Sequence, residues 1–224
     1  LAGVNAAVHL LHAQAKGDVF EELRRKVRDL ASTAVLLVDP AQVEAVSGPK
    51  AAERPEARAL AATLDAVQEA SPDVHYVWIM RRSGSGGEGV EFVMGNETYK
   101  SFQELDANGN GILDPEERPV QPGEPFDASH VPELARGFEA PTADRTYEAT
   151  DEWGVSLSGY APVRDRAGKA IAVLGVDIKR VDLMEHFAAL DRARLVGVLS
   201  SAAFAVLAFI GLVATLVSRW LRQR

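Results

Sequence analysis

The sequence predicts an α+β domain that is followed by one membrane-spanning helix. Apolar residues recur every three or four positions over the first 39 residues, which is the spacing of an amphipathic helix. Runs rich in branched and aromatic residues follow, separated by turn sequences, which is typical of antiparallel strands. A long, uncharged and apolar stretch closes the chain.

The first element is a helix predicted over residues 1–39. Its apolar positions include Phe20, Leu23, Val27 and Leu30, and Pro40 ends it because the residue before a proline disfavours helical geometry. Residues 1–15 carry no formal charge apart from any on two His, which leaves two alternatives open. They are the outer end of a preceding membrane helix or, as we expect, an extended helix that rises from the membrane. Residue 1 is Leu rather than Met, and we expect further sequence upstream.

Residues 40–180 are predicted to form the body of the domain. Two short helices come first, and two pairs of strands follow, with a loop-rich region between the pairs. The predicted helices are 41–46 and 56–70, and the predicted strands are 75–80, 90–94, 155–163 and 170–178.

The apolar stretch at the C-terminus is predicted to cross a membrane. Residues 195–217 contain no charged side chain, and as a helix they reach roughly 34 Å, which is enough for a bilayer core. The arginines at 219, 222 and 224 favour the cytoplasmic side, and Trp220 suits the interface. The acidic domain therefore lies outside. We assign residues 181–194 to a juxtamembrane helix, 195–218 to the membrane and 219–224 to the start of a cytoplasmic region.

Composition argues against several classes of function. The net charge of −8 leaves no basic surplus to neutralise phosphates, so nucleic acid is not expected as a partner. The sequence has no Cys, which excludes disulfides, thiolate metal sites and a Cys nucleophile. The five His are scattered, and no Ser has the neighbours of a nucleophile elbow. We therefore expect no enzyme activity in this chain, and any kinase or cyclase activity would belong to a downstream domain.

Residues 106–117, DANGNGILDPEE, match the spacing of a calcium-binding loop. Oxygen ligands fall at its first, third, fifth, seventh, ninth and twelfth positions. They are supplied in order by Asp106, Asn108, Asn110, the Ile112 carbonyl, Asp114 and Glu117. Gly111 occupies the sixth position, where the chain turns sharply. Hard oxygen ligands favour Ca²⁺ over transition metals, so the sequence predicts one bound Ca²⁺.

The same residues also suit a plain solvated turn, since Asn and Gly favour turns wherever they occur. Pro119 stops any helix that leaves the loop, and the sequence has no second loop to pair with it. With three carboxylates among the ligands, we expect weak to moderate affinity, suited to millimolar calcium outside cells. The expected role is to staple a long loop rather than to signal.

The stretch DEWGVSLSGYAPVRDRAGKAIAVLGVDI, residues 151–178, resembles the closing strands of the extracytoplasmic PAS-like sensor domains of bacteria, called PDC or Cache domains. YVWIMR, residues 76–81, is similar to their first central strand, and the order of helices also matches. Such domains are the inputs of chemoreceptors, diguanylate cyclases and the histidine kinases of two-component systems. The resemblance implies a five-stranded antiparallel sheet packed on the long helix, with a small-molecule pocket on the opposite face. It also implies a protein of the inner membrane whose domain lies in the periplasm or outside.

The resemblance further implies which residues face a ligand. Asp177 and Tyr160 match positions that often do so, and strand and loop placement adds Trp153, Tyr76, Trp78 and Arg81. Along the first strand, Tyr76 and Trp78 share a face, and Arg81 points to the other unless the strand bulges. The sequence has no clear version of the Tyr-Arg-Trp arrangement of amino-acid-binding members.

These observations predict a ligand-sensing input domain of a bacterial transmembrane receptor, stabilised by Ca²⁺ and assembled as a parallel homodimer. The ligand is an unknown small molecule, and a second membrane span is expected upstream. The alternative is a membrane-anchored, calcium-stapled adhesion or scaffold module without a small-molecule ligand.

Overall fold

A computed structural model describes residues 2–48, 50–84, 89–146, 150–151 and 154–223 of the chain. The helices in this part are α1 (Ala2–Ala34), α2 (Pro40–Ala45), α3 (Pro55–Glu69), α4 (Phe102–Leu105), α5 (Pro132–Gly137) and α6 (Arg180–Arg222). The strands are β1 (Val74–Arg82), β2 (Val90–Gly95), β3 (Pro125–Phe126), β4 (Thr142–Ala143), β5 (Thr150–Asp151), β6 (Gly154–Arg164) and β7 (Ala170–Lys179). The predicted α+β class is confirmed, with a long N-terminal helix, an antiparallel sheet and a C-terminal apolar helix.

The strands form one antiparallel sheet in which chain order and spatial order differ. Over the described residues the sheet has seven strands, two more than the resemblance implies, and the path β2-β1-β7-β6-β4 forms most of it. The two-residue strands β3 and β5 add to it by pairing with β2 and β6. The strands β6 and β7 come last in the chain and are the longest. They pair over the longest stretch, from Ser156 opposite Lys179 to Arg164 opposite Ala170. The last two strands of the domain therefore lie in the interior of the sheet, with β7 between β1 and β6.

One face of the sheet packs against helices, and we call its buried residues the helix-side core. Apolar side chains of α2 and α3, such as Val43, Leu60 and Leu64, meet Val77 and Ile79 of β1 there. Pro40 and Pro55 begin α2 and α3, and the Asp39 side chain accepts a hydrogen bond from Ala41 N at 3.0 Å, so both helix starts have a local cause.

The part of α1 that follows residue 21 meets the sheet through small or branched residues. Val27, Ala31 and Ala34 are fully or almost fully buried, at the three- and four-residue spacing of one helix face. Opposite them lies Gly159 of β6, where a Cβ would overlap the main-chain carbonyl of Val27. The backbones of α1 and β6 are thus in direct contact, with no side chain between them.

The chain divides into two compact units, residues 22–182 and residues 1–21 with 183–224. The first unit contains the sheet. In the second, the start of α1 and part of α6 run side by side, and Ser201 Oγ donates to Asn5 Oδ1 at 3.2 Å. Asp191 accepts from Lys16 at 2.9 Å and lies 2.8 Å from His12 Nε2. Residues Phe187–Arg222 are the only helical stretch in the described part of the chain that is long and apolar enough to cross a membrane.

We expect Gly159→Ala to lower the free energy of unfolding by about 1–3 kcal/mol, because the new methyl group must push α1 away from β6. Urea unfolding of the chain in detergent, followed by circular dichroism, measures this loss. The matched control is Gly17→Ala in α1, where a Cβ meets nothing within 4 Å. That change should leave stability equal or raise it by about 0.5–1 kcal/mol. Equal effects of the two substitutions would contradict the proposed close contact.

Candidate functional site

The sheet face opposite the helix-side core carries a second apolar group, which we call the loop-side cluster. It combines strand residues with residues of α5 and the long connection before it. Its buried members are Trp78, Met80, Val90, Phe92, Val120, Leu134, Phe138, Tyr160 and Val173. Because aromatic side chains dominate it, this face offers few polar groups, and each buried one needs a partner.

Asp144 supplies the main polar group at the edge of the loop-side cluster. It follows β4 directly and is 4% exposed. Its Oδ1 accepts from the Tyr160 hydroxyl at 2.7 Å, and its Oδ2 accepts from Ser158 N at 2.9 Å. Its own N donates to Ser158 O at 2.9 Å. The carboxylate therefore continues the pairing of β4 with β6 beyond the last strand residue.

The main-chain carbonyl of Asp144 has a separate partner on α1. Arg24 Nε donates to it at 2.6 Å, and a terminal nitrogen of the same guanidinium donates to Ala143 O at 3.4 Å. Arg24 lies one turn before Val27 on the helix face that contacts β6. Asp144 is consequently held by the sheet through its side chain and by α1 through its backbone.

A cavity of about 350 Å³ opens beside Asp144. It lies between α5, the turn before it and the segment that follows β4. The cavity is lined by His130, Val131, Pro132, Glu133, Arg136, Asp144, Arg145 and Thr146. Most of these side chains are polar or charged, so the cavity suits a small polar ligand better than an apolar one.

The charges in the cavity wall are arranged around Glu133. This side chain is 7% exposed, and its Oε1 accepts from Arg136 and from Arg145, each at 3.1 Å. Both arginine side chains remain more than half exposed, at 52% and 67%. The buried acid therefore orients two arginines whose outer edges stay open to solvent, an arrangement that can receive a carboxylate or another anion.

Three of the predicted ligand residues lie together in the sheet behind this cavity. Trp78 Nε1 donates to Asp177 Oδ2 at 2.8 Å, and the Trp78 and Tyr160 rings are 6.0 Å apart. All three residues are buried and are not among the residues that line the cavity. Tyr160 touches the cavity wall indirectly, through its hydrogen bond to Asp144. That these residues contact a ligand stays a prediction.

The other predicted ligand residues are spread over different places. Tyr76 shares the face of Trp78, and its hydroxyl donates to the carbonyl of Glu116 at 2.6 Å. Arg81 points to the opposite face, where it donates to Glu91 at 2.7 Å and to Val46 O at 2.8 Å. The alternation expected for β1 is thus present. Trp153 lies outside the described residues.

The predicted calcium loop forms a turn closed by hydrogen bonds among its own side chains and backbone. Asp106 accepts from the main-chain N of Asn110 and of Gly111, both at 3.0 Å. The amides of Asn108 and Asn110 both donate to Asp114 Oδ2, at 2.7 and 3.0 Å, so these three side chains meet. Gly111 has φ +84°, which only glycine adopts without strain.

The end of the loop is tied back to its beginning. Glu117 Oε1 accepts from Ala107 N at 3.0 Å and from Asn108 N at 3.2 Å. The Ile112 side chain is exposed. Because this side chain has no oxygen or nitrogen, the carbonyl is the only ligand that Ile112 can offer. The loop supplies three carboxylates, two amide oxygens and one carbonyl, an oxygen-only donor set of the kind that Ca²⁺ takes, but its three carboxylates, all described residues, do not come together as a metal-binding group. Across the described ranges, no group of three or more His, Cys, Asp or Glu is close enough to hold a metal ion.

Two buried carboxyl groups have altered proton affinity. Burial raises the pKa of Asp144 to about 6, although its bonds to Tyr160 and Ser158 act in the opposite direction. Burial also raises the pKa of Glu97 to about 7, against the influence of its own backbone N–H and of Lys100. Glu97 is 6% exposed, and its Oε2 has no hydrogen-bond partner among the residues that the structure describes. Both acids therefore keep their proton to a higher pH in the folded state than an exposed carboxyl group does.

The cavity residues were missed from the sequence because most of them lie in the loop-rich region between the two pairs of strands. His130, Glu133 and Arg136 share a short segment that contains prolines, and Asp144 and Arg145 follow a strand of two residues. A weak signal was present: the segment holds more charged side chains than a plain linker needs. The pairing of β4 with β6, which brings Asp144 to the cavity, depends on tertiary contacts that no local sequence pattern encodes.

No protein-family model matches the chain, and no curated protein sequence matches it. Solved structures that resemble it include the sensory domain of the Campylobacter jejuni chemoreceptor Tlp3, with a TM-score of 0.42, 13% identity and coverage of 82% of this chain and 66% of that one. The ligand-binding domain of Tlp3 in complex with 4-methylisoleucine has a TM-score of 0.43, 13% identity and coverage of 81% and 59%. The periplasmic sensory domain of Campylobacter jejuni Tlp1 has a TM-score of 0.43, 10% identity and coverage of 78% and 61%. The chain thus spans less than two thirds of the length of these structures.

We expect the free energy of unfolding to fall as the pH rises from 4.5 to 7, because Glu97 has a higher pKa folded than unfolded. The folded state then binds more protons in that window, and the stability present at low pH is lost as Glu97 ionises. Glu97→Gln should remove this loss, so the variant should exceed the wild type near pH 8 by the order of 1–3 kcal/mol and differ little near pH 4.5.

Urea unfolding across this pH range measures the effect. Glu69→Gln, at an exposed acid at the end of α3, is the control and should follow the wild-type curve. A constant offset between Glu97→Gln and the wild type at every pH would contradict the raised pKa.

Proposed function

We propose that this chain is the extracytoplasmic ligand-sensing input domain of a bacterial transmembrane receptor, stabilised by a bound Ca²⁺. The observation that carries the proposal is the charged cavity beside Asp144. Two arginines that are more than half exposed and share one buried acid present positive charge in the cavity wall, where an anionic ligand can reach it. The downstream output domain would convert ligand binding into a response.

The ligand in this proposal is a small molecule with an anionic group. Arg136 and Arg145 would receive that group with their open edges, while Glu133 keeps both side chains in position. Asp144 at the other side of the cavity would accept a hydrogen bond from a donor on the same ligand. A volume of about 350 Å³ limits the ligand to the size of a simple metabolite.

We further propose that α6 crosses the membrane, with its C-terminal arginines on the cytoplasmic side and the sheet domain outside. Its apolar stretch is long enough, and the only charged residues in its last turn are Arg219 and Arg222. A second span upstream of α1 is part of the same proposal. The hydrogen bond between Asn5 and Ser201 supports it, since it lies six residues inside the apolar stretch that begins at residue 195.

A parallel homodimer is proposed as the functional assembly. Leu10 and Leu11 of α1 are 70% and 65% exposed, and next to a membrane such residues need either lipid or a second copy as cover. Chemical cross-linking of the full chain in lipid would distinguish a dimer from a monomer.

For ligand binding, we expect a thermal-shift screen of small carboxylates, amino acids and phosphates, in saturating calcium, to raise the unfolding midpoint of the full chain. A compound found this way should bind Arg145→Gln at least about tenfold more weakly, because a charge-assisted hydrogen bond contributes about 1.5–3 kcal/mol. Isothermal titration measures the affinity. Arg166→Gln, in the turn between β6 and β7, is the control and should bind normally. Binding that is insensitive to Arg145 would remove the cavity as the site, and no binding in any class would favour the scaffold alternative.

For calcium, we expect chelation to lower the unfolding midpoint and millimolar Ca²⁺ to restore it, with Mg²⁺ much less effective. At a free Ca²⁺ concentration a hundred times the dissociation constant, the free energy of unfolding should rise by about 2.7 kcal/mol. Glu117→Gln should abolish the response, because the twelfth position supplies the bidentate ligand. Glu116→Gln is the matched control, since this neighbour contributes only its carbonyl, to Tyr76. An equal response to both cations, or in Glu117→Gln, would show that the loop is a plain turn.

A further inference from the structure

We propose that the cavity reports its occupancy to α1 through Asp144 and Arg24, and that Arg24 is the positioning residue of this connection. The inference rests on the proposed ligand site and concerns how that site is read. It assigns a role to a contact between α1 and the segment after β4, which the ligand-binding proposal itself does not require.

The first step is the double attachment of Asp144. The residue lines the cavity, and its carboxylate accepts from Ser158 N and the Tyr160 hydroxyl. Its carbonyl accepts from Arg24 at 2.6 Å. Arg24 is hydrogen-bonded to the peptide unit between Asp144 and Arg145. A ligand that binds the Asp144 carboxylate or the Arg145 side chain therefore acts on that same peptide unit.

The second step is the nature of that grip. A guanidinium group is planar and rigid, and Arg24 uses it to contact two successive carbonyls, those of Ala143 and Asp144. These carbonyls belong to the end of β4, where Thr142 and Ala143 pair with Tyr160 and Gly159. Because the donors are held in one plane, a rotation of the Asp144 peptide changes the preferred position of the whole side chain.

The third step is the close packing of the α1 backbone on the β6 backbone. At Gly159 the two backbones touch, so no flexible side chain can absorb a relative movement. Arg24 and Val27 lie one turn apart on the same helix face, which gives the sheet two fixed points on α1. A change in the end of β4 therefore acts on α1 as a lever about the contact at Val27. The helix itself runs without interruption from Ala2 to Ala34.

The test uses a covalent probe, so it does not need the natural ligand. His130→Cys places a single thiol in the cavity wall, and the chain has no other Cys. Reaction with 2-sulfonatoethyl methanethiosulfonate then attaches a small anion within reach of Arg136 and Arg145. Hydrogen–deuterium exchange of the full chain in detergent, read from peptides that cover residues 22–34, reports on α1.

We expect labelling to change the exchange of amides in residues 22–34 by at least about fivefold, which is the lower end of typical coupling between sites. In the double variant with Arg24→Gln, the label should produce less than half of that change on a logarithmic scale. Arg28→Gln is the matched control, because its guanidinium lies four residues further along α1 and contacts Asp29 of the same helix. It should leave the response intact. Glu69→Cys, labelled in the same way at the exposed end of α3, should leave α1 unchanged.

Two results would overturn the proposal: no change in residues 22–34 on labelling of His130→Cys, or a full change that persists with Arg24→Gln. Either would leave the ligand site intact, because binding in the screen is measured separately and depends on Arg145. If Arg24→Gln does not fold, as judged by circular dichroism, Arg24→Lys replaces it. Lysine keeps the charge but cannot hold both carbonyls in one plane, so a reduced response supports the proposal and a full response overturns it.

Discussion

The contact between α1 and β6 at Gly159 is the constraint on which the remaining structure depends. Because residue 159 has no side chain, the two backbones meet directly, and this sets the distance of the long helix from the sheet. At that distance Arg24 reaches the carbonyls at the end of β4, and β4 in turn brings Asp144 to the edge of the loop-side cluster. The position of the cavity follows from a sterically close packing contact on the other side of the sheet.

Four of the nine buried residues of the loop-side cluster are aromatic, and two of these aromatic side chains donate to buried acids. Asp177 and Asp144 are stabilised by donors from aromatic side chains, the Trp78 indole and the Tyr160 hydroxyl. Such buried pairs rarely raise stability above that of an apolar replacement of equal volume. Asp144, whose pKa burial raises to about 6, lies beside the cavity, and an acid with a perturbed pKa at a cavity is typical of sites that bind a ligand, which is why this face of the sheet, rather than the helix-side core, carries the proposed function.

Most of the fold was predictable, because periodicity determines it locally. The predicted helix 56–70 and strand 170–178 agree with α3 and β7 to within a residue at each end, since Pro55 and a Gly-containing turn mark their starts. The helix α1 continues through Gly17, because one glycine costs only about 1 kcal/mol against Ala. The candidate site was harder to predict from the sequence. Searching strands for aromatic and acidic residues found Tyr160 and Asp177, which lie behind the cavity, while Asp144 gains its role only from the register of β4 on β6. The metal loop and the ligand contacts stay predictions.

The hydrogen bond from Tyr76 to the Glu116 carbonyl has a consequence for the loop of residues 106–117. It fastens the last part of the loop to a central strand, while Glu117 closes the loop on the N–H groups of Ala107 and Asn108. Much of the conformational entropy that a flexible loop loses on ordering is thus lost during folding of the sheet, before any cation arrives. A peptide of the same twelve residues would lack this preorganisation, so the calcium proposal implies that it binds Ca²⁺ more weakly than the intact domain.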